Sequence, residues 1–177
     1  MSEQKLFRNL ILLGAGVEAC VEKKLTAPAL ILIYSGIDTA GWLDSDQPFA
    51  TRSSFMDWVN RYLLPARPLD CTAVELYAAR CGLLHTMTPD SQLSAQGRAR
   101  RICYAWGQAR VEDLRRTIDV TNRASEYVAV HVEELYEAWR SGLLAFTQEI
   151  DNDPARRSRV YAKAKQFFSE PPVELLR

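Results

Sequence analysis

The sequence predicts an all-α fold built as a single domain over residues 1–177. Apolar residues recur at helical spacing along most of the chain, and capping residues and prolines divide these runs into lengths typical of helices. The length of 177 residues suits one sizeable core, and no repeat, linker or low-complexity stretch divides the chain. Residues 94–122 are the exception, because their pattern indicates a short irregular or strand-like insertion.

Two helices are predicted at the start of the chain. The first spans Ser2 to Lys24, and its Gly14-Ala15-Gly16 favours close helix packing over nucleotide binding, because no strand precedes it. The second runs from Ala27 to about Leu43, with Thr26 as its cap and Pro28 in its first turn. This second helix is apolar nearly all round, which predicts a central position.

Two further helices are predicted before residue 90. Ser53 or Ser54 caps the shorter one, which Pro65 and Pro68 end. The other begins at the capping box Thr72-Ala73-Val74-Glu75 and stops before Pro89. This last helix carries the residues that point most directly to a function.

The second half of the chain is less uniform. Ile102 to Trp106 fits a short strand and a short helix equally well, and Glu112 to Asn122 fits a helix or a turn-rich connector. From about Glu126 to Ile150 the pattern predicts one long amphipathic helix with an acidic outer face. Asp153-Pro154 caps a final basic helix, which Pro171-Pro172 ends.

Charge and hydropathy exclude several classes of protein. The 22 basic and 22 acidic residues balance, so no global field draws the chain to nucleic acid or to anionic membranes. The longest apolar stretch, Ala27 to Ile37, is too short to cross a bilayer, and the polar N-terminus is unlike a secretory signal. We therefore expect a cytoplasmic protein without membrane contact.

The cysteines give no sign of a disulfide framework or a zinc site. They are widely spaced and form no C-x-x-C pair: Cys20, Cys71, Cys81 and Cys103. This spacing predicts reduced thiols in a reducing compartment. We accordingly expect neither a metal ion nor a cofactor.

The fourth helix holds an arginine and, five residues later, one of only two histidines: Arg80 and His85. An arginine binds a phosphate with its fixed fork of donors, and a histidine moves a proton near neutral pH. Together the two side chains indicate phosphodiester chemistry without a metal.

The spacing of Arg80 and His85 sets a geometric condition. At about 100° per residue, the two side chains leave a straight helix roughly 140° apart and do not share a face. They meet if the helix ends or distorts near Gly82, or if a second copy of the helix packs across it. The second route predicts a homodimer.

Asp38, inside the second helix, either bonds a nearby donor or supports the Arg80/His85 site.

The segment Arg80-Cys81-Gly82-Leu83-Leu84-His85 resembles the motif of the HEPN superfamily, an arginine followed after four to six residues by a histidine. The helical context and the chain length also fit that superfamily. Active members commonly carry asparagine, aspartate or histidine where this chain has Cys81, which we count with Asp38 as a supporting residue. Some members controlled by an antitoxin carry a modified tyrosine where this chain has Met87.

The resemblance implies a single HEPN-like helical domain that forms a homodimer and cuts single-stranded RNA without metal, as a toxin or antiviral defence effector. Arg80 and His85 would be the catalytic residues, and an antitoxin or another regulatory protein would be a partner. Arg98, Arg100 and Arg101 would contact the RNA backbone, or would form a solvated face. The alternative function is a catalytically inactive HEPN-like domain that binds a partner protein or a small ligand.

Overall fold

A computed structural model describes residues 2–167 and is mostly helical, as the sequence predicts. The helices are α1 (Ser2–Glu22), α2 (Thr26–Asp44), α3 (Arg52–Trp58), α4 (Leu64–Ala66), α5 (Ala73–Thr86), α6 (Gln92–Ala95), α7 (Val111–Val120), α8 (Val132–Asn152) and α9 (Pro154–Ala164). The strands are β1 (Arg101–Ala105) and β2 (Tyr127–His131), and a π-helical segment, Val59–Leu63, joins α3 to α4. Pro171 and Pro172, predicted to end the last helix, lie outside the described residues.

Helix α2 lies at the centre of the molecule, which confirms the prediction made from its apolar surface. It packs against α1, α3, α5, α8 and α9, and Ile33, Tyr34 and Ile37 are completely buried. Gly36 lies directly against the indole ring of Trp139 on α8, so that the two helices approach closely. This central helix also carries Asp38, whose carboxylate bonds Arg80 on the neighbouring helix α5.

A second part of the core ties α8 and α9 to the segment after α3. The rings of Tyr62 and Phe146 meet edge to face with centroids 5.5 Å apart. Arg156, which is 6% exposed, bonds Asp44, Tyr62 and Glu149. Because these acceptors belong to different elements, the arginine joins α9 to α2, α8 and the π-helical segment.

Several predicted helix ends differ in the structure. Thr51, not Ser53 or Ser54, caps α3, and its hydroxyl and the Ser54 hydroxyl accept each other's backbone N–H. Thr26 is the first residue of α2 and its side chain makes no cap. Pro65 lies inside the short α4, and the helical run ends at Ala66, two residues before Pro68.

The predicted insertion around residues 94–122 contains the strand β1 and the helix α7. For Ile102 to Trp106, the structure forms the strand and not the alternative short helix, although Trp106 lies beyond its end. The prediction that a helix begins near Glu126 is wrong, because Tyr127–His131 forms the second strand. The two strands are parallel, with Ile102 opposite Val128, and α7 connects them. A five-residue strand bordered by helix-forming sequence has no separate periodic signal, so only the pairing with β1 reveals it.

Helix α5 begins as the capping box predicts. The Thr72 hydroxyl accepts from the Glu75 backbone N–H, and the Glu75 carboxylate accepts from the Thr72 backbone N–H at 2.8 Å. Glu75 also accepts from Nε of Arg100 at 2.5 Å, just before β1. One buried carboxylate thus fixes the start of α5 and its position against the sheet.

None of the helices within residues 2–167 combines the length and the apolar content that a membrane span requires.

Replacing Glu75 with alanine is expected to lower the free energy of unfolding by about 3 kcal/mol, because it removes half of the capping box and leaves Arg100 without its partner. Burial acts to raise the pKa of Glu75, but the hydrogen bonds from Arg100 and Thr72 outweigh burial and lower this pKa. The stabilisation is therefore present above the pKa of a free glutamate, about 4.3, and is lost as pH falls through the lower pKa of the folded state.

Urea unfolding at neutral and acidic pH measures this effect. The difference between wild type and Glu75→Ala should be largest at neutral pH and shrink in acid. Glu22→Ala, at the exposed end of α1, is the matched control and should change stability by less than about 0.5 kcal/mol. A Glu75→Ala protein as stable as wild type at neutral pH would contradict the role given to this carboxylate.

Candidate functional site

Arg80 and His85 meet within one chain. Nη1 of Arg80 lies 3.2 Å from Nε2 of His85, although α5 continues without a break to Thr86. Neither a distortion at Gly82 nor a second copy of the helix is needed, because the long arginine side chain turns around the helix toward the histidine. The angular separation predicted from the helical period applies to the Cβ directions, and the flexible side chain spans it.

The carboxylate of Asp38 holds the arginine from the other side. Nε of Arg80 donates to Oδ2 of Asp38 at 2.7 Å, and the two side chains are 21% and 16% exposed. This bond joins α2 to α5 and directs another guanidinium nitrogen at His85. Both alternatives considered for Asp38 therefore describe the same contact, since its donor is the arginine of the candidate site.

Burial shapes the charges of this pair. It raises the pKa of Asp38 above the ordinary value, against the hydrogen bond and the positive charge of Arg80, which act to lower it. Burial also acts to lower the pKa of Arg80, but the bond to Asp38 and the carboxylate charge outweigh burial and raise this pKa. Arg80 therefore remains a cation that is partly shielded from water.

The hydrogen bond between Arg80 and His85 has one possible direction. An arginine nitrogen only donates hydrogen bonds, so in this contact Nη1 of Arg80 is the donor and Nε2 of His85 is the acceptor. His85 is exposed, unlike Arg80. A ring nitrogen at the surface is accessible to a substrate, as a general base must be.

Cys81 and Tyr77 lie beside the pair on α5. Burial raises the pKa of Tyr77, and a hydrogen bond with Cys81 raises it further. The Tyr77 ring packs edge to face on Phe55 with centroids 5.5 Å apart, and the guanidinium carbon of Arg52 lies 5.6 Å from the Tyr77 centroid. Cys81 is thus a partly buried neighbour of the site, in contact with the aromatic side chain one turn before it.

A cleft of about 970 Å³ opens next to His85. One wall is the end of α5, and the other is α6 with the turns on either side of it. The lining side chains are mainly polar or basic and include Arg52, Tyr77, Cys81, His85, Gln92 and Arg98. Arg80 adjoins this cleft through its bond to His85. The cleft is large enough to admit a nucleotide.

The turn after α5 brings the second wall close to the first. Met87 adopts a left-handed conformation at φ 57°, and the Thr88 N–H returns to the Gly82 carbonyl at 3.3 Å. A Cβ at Gly82 would lie 2.5 Å from the Asp90 carbonyl oxygen and 2.6 Å from that of Thr88. Glycine is therefore required at this position for close packing, not for a break in the helix.

The three arginines predicted to contact RNA have different surroundings. Nε of Arg100 donates to Glu75 at 2.5 Å, and Nε of Arg101 donates to Asp90 at 2.5 Å. Arg98 lines the cleft. Sequence analysis missed Arg52, which lines the cleft from the start of α3, because nothing in the sequence signals its contact with an aromatic ring 25 residues later.

Comparison of the chain with protein-family models, with curated proteins and with solved structures finds no match. The geometry of the cleft therefore carries the functional evidence. Within residues 2–167, no group of three or more His, Cys, Asp or Glu side chains lies close enough together to hold a metal ion.

Gly82→Ala is expected to destabilise the protein by about 1–3 kcal/mol, because the new methyl group meets two backbone carbonyls that cannot move independently of the turn. Thermal unfolding measures this cost. Gly14→Ala is the matched control, since its nearest neighbour is the Tyr136 hydroxyl at 3.8 Å, and it should stabilise the protein by up to about 1 kcal/mol. Equal effects of the two substitutions would show that the turn does not pack on α5.

Proposed function

We propose that this protein is a metal-independent endoribonuclease of the HEPN type, a helical bundle that cuts single-stranded RNA at Arg80 and His85. The observation that carries the proposal is the contact of the two side chains at the edge of a nucleotide-sized cleft. A fixed cation beside an imidazole is a suitable combination for cleaving a phosphodiester whose own 2′-hydroxyl is the nucleophile.

In the proposed reaction, Nε2 of His85 takes the proton of the ribose 2′-hydroxyl while the 2′-oxygen forms a bond to the adjacent phosphorus. The bond between phosphorus and the 5′-oxygen breaks, and the leaving oxygen takes a proton from water. The hydroxide that this leaves takes the proton from His85 and restores the base. The products are a 2′,3′-cyclic phosphate and a 5′-hydroxyl. His85 exchanges its contact with Arg80 for the substrate hydroxyl at the start of this step.

Arg80 binds the non-bridging oxygens of the phosphate and stabilises the negative charge that grows on them. Asp38 acts as a positioning residue, because its bond to Nε leaves the other guanidinium nitrogens available to the phosphate. Lysine in place of Arg80 would keep the positive charge. It would not have the planar fork of N–H donors that can bond a carboxylate on one side and a phosphate on the other.

We also propose a homodimer, as the resemblance to the HEPN superfamily implies, but one in which the second copy adds no residue to the site. Because Arg80 and His85 meet within one chain, each copy holds its own pair, and association would only bring two clefts together. An antitoxin or another regulatory protein would act by covering the cleft beside His85.

A second candidate function is a helical domain that binds a partner protein without catalysis. The observation that favours it is an apolar groove of about 440 Å³ between α1 and α8. Ile11 and Leu144 line this groove and are 68% and 61% exposed. Exposed apolar patches of this kind mark interaction sites in many proteins. This function predicts that the purified protein leaves RNA intact.

His85→Ala is expected to reduce RNA cleavage by about 10²–10⁴-fold, because it removes the general base. Single-stranded RNA is incubated with the protein in the presence of a metal chelator, and the products are analysed for cyclic phosphate ends. Arg80→Lys should lose activity as well, since it loses the forked donor geometry.

The second histidine supplies the matched control for this experiment. His131 contacts the Ala109 carbonyl and Glu133 and does not line the cleft, so His131→Ala should keep wild-type activity. Equal cleavage by wild type and by His85→Ala would attribute the activity to a contaminant. No cleavage by folded wild-type protein would favour the binding function.

The rate of cleavage per molecule is expected to stay constant over about a hundredfold range of protein concentration. The reason is that one chain contains the complete Arg80/His85 pair, so that dissociation of a dimer does not dismantle the site. Initial rates, measured together with the molar mass from light scattering, test this expectation. A rate per molecule that falls as the dimer dissociates would show that the second copy contributes a residue.

A further inference from the structure

The arginines near the cleft fall into two groups according to their partners. Three are bonded to carboxylates: Arg80 to Asp38, Arg100 to Glu75 and Arg101 to Asp90. Arg52 and Arg98 line the cleft itself, and within residues 2–167 neither forms an ion pair with a carboxylate. The two guanidinium groups that line the cleft without a carboxylate partner therefore come from separate segments, α3 and the turn after α6.

Arg52 is held in position by an aromatic ring. Its guanidinium carbon lies 5.6 Å from the centroid of Tyr77, which is itself packed on Phe55. A cation over a ring keeps its N–H donors free at the edge of the guanidinium plane, and it loses less freedom when a ligand binds. Tyr77 precedes Arg80 by one helical turn, so Arg52 lies beside the proposed reaction site.

Arg98 approaches the cleft from the other wall. It follows Gly97, which has φ 66°, and its backbone N–H donates to the Leu93 carbonyl at 2.9 Å. This bond closes the end of α6 and anchors the backbone, while the Arg98 side chain is exposed. The charge of Arg98 is thus presented to solvent from a fixed point of the fold.

The remaining charges of the cleft do not neutralise these two arginines. Of the described residues that line it, Asp90 is the one acid, and its carboxylate is already bonded to Arg101. The lining therefore carries a local excess of positive charge, although the whole chain has a formal net charge of +0. Such a concentration of like charge in a concave surface attracts anions.

We infer that Arg52 and Arg98 bind the phosphates that flank the scissile phosphate of single-stranded RNA, an inference that rests on the proposed function. The strand would cross the cleft from α3 to α6, with the reacting phosphate at Arg80. Arg100 and Arg101 do not take part, because each is bonded to a carboxylate and neither lines the cleft, whereas Arg80 contacts His85 at the cleft edge.

The test measures binding without cleavage. A fully 2′-O-methylated single-stranded RNA lacks the free 2′-hydroxyl that the reaction consumes, so its fluorescence anisotropy reports affinity alone. We expect Arg52→Gln and Arg98→Gln each to weaken binding and to reduce the slope of log affinity against log salt concentration by about 0.7, the value for one phosphate contact on a single strand. Arg98→Lys, which keeps the charge, should retain the wild-type slope.

Arg116→Gln is the matched control, because it removes the same charge from a side chain that is 72% exposed on α7 and does not line the cleft. Wild-type slopes for Arg52→Gln and Arg98→Gln would overturn the inference, even if cleavage depends on His85. Reduced slopes in a protein that does not cleave unmodified RNA would support the phosphate contacts and overturn the nuclease. An equal reduction for Arg116→Gln would indicate unspecific attraction and overturn the inference as well.

Discussion

The ion pair between Asp38 and Arg80 is the interaction on which the site depends. It joins the buried central helix α2 to α5, and the packing of α2 therefore determines where the guanidinium points. A pair this shielded from water adds little net stability, because the loss of hydration offsets the attraction between the charges. Its effect is geometric: with Nε bonded to the carboxylate, the other side of the guanidinium lies against His85.

The cleft beside this pair results from backbone packing at the end of α5. The absence of a side chain at Gly82 lets the carbonyls of Thr88 and Asp90 lie against the helix, and this close approach brings the second wall toward His85. Ion pairs then determine which arginines supply positive charge to the cleft. Carboxylates occupy Arg100 and Arg101, which leaves the positive charge of the cleft to side chains that α3 and the end of α6 supply.

Much of the helical framework could be predicted because its signals are local. The capping box at Thr72 and the cap at Asp153 form as the sequence indicates, since each involves residues that are neighbours in the chain. The strand Tyr127–His131 could not be predicted, because its hydrogen-bond partner lies 26 positions earlier and an adjoining helix hides its short pattern. The same limitation applies to Arg52, whose contact with Tyr77 depends on how α3 and α5 pack.

The sequence by itself determined most of the long helices, the caps at Thr72 and Asp153, the central position of α2 and the candidate pair of Arg80 and His85. These follow from periodicity, from capping chemistry and from the scarcity of histidine in the chain. Only the tertiary structure decided that the pair meets within one chain, that Asp38 bonds Arg80 and that Arg98 has no carboxylate partner among the described residues. The physical reason is that side-chain contacts and ion pairs depend on the distances between helices and strands. The spacing of residues along one helix gives no information about these distances.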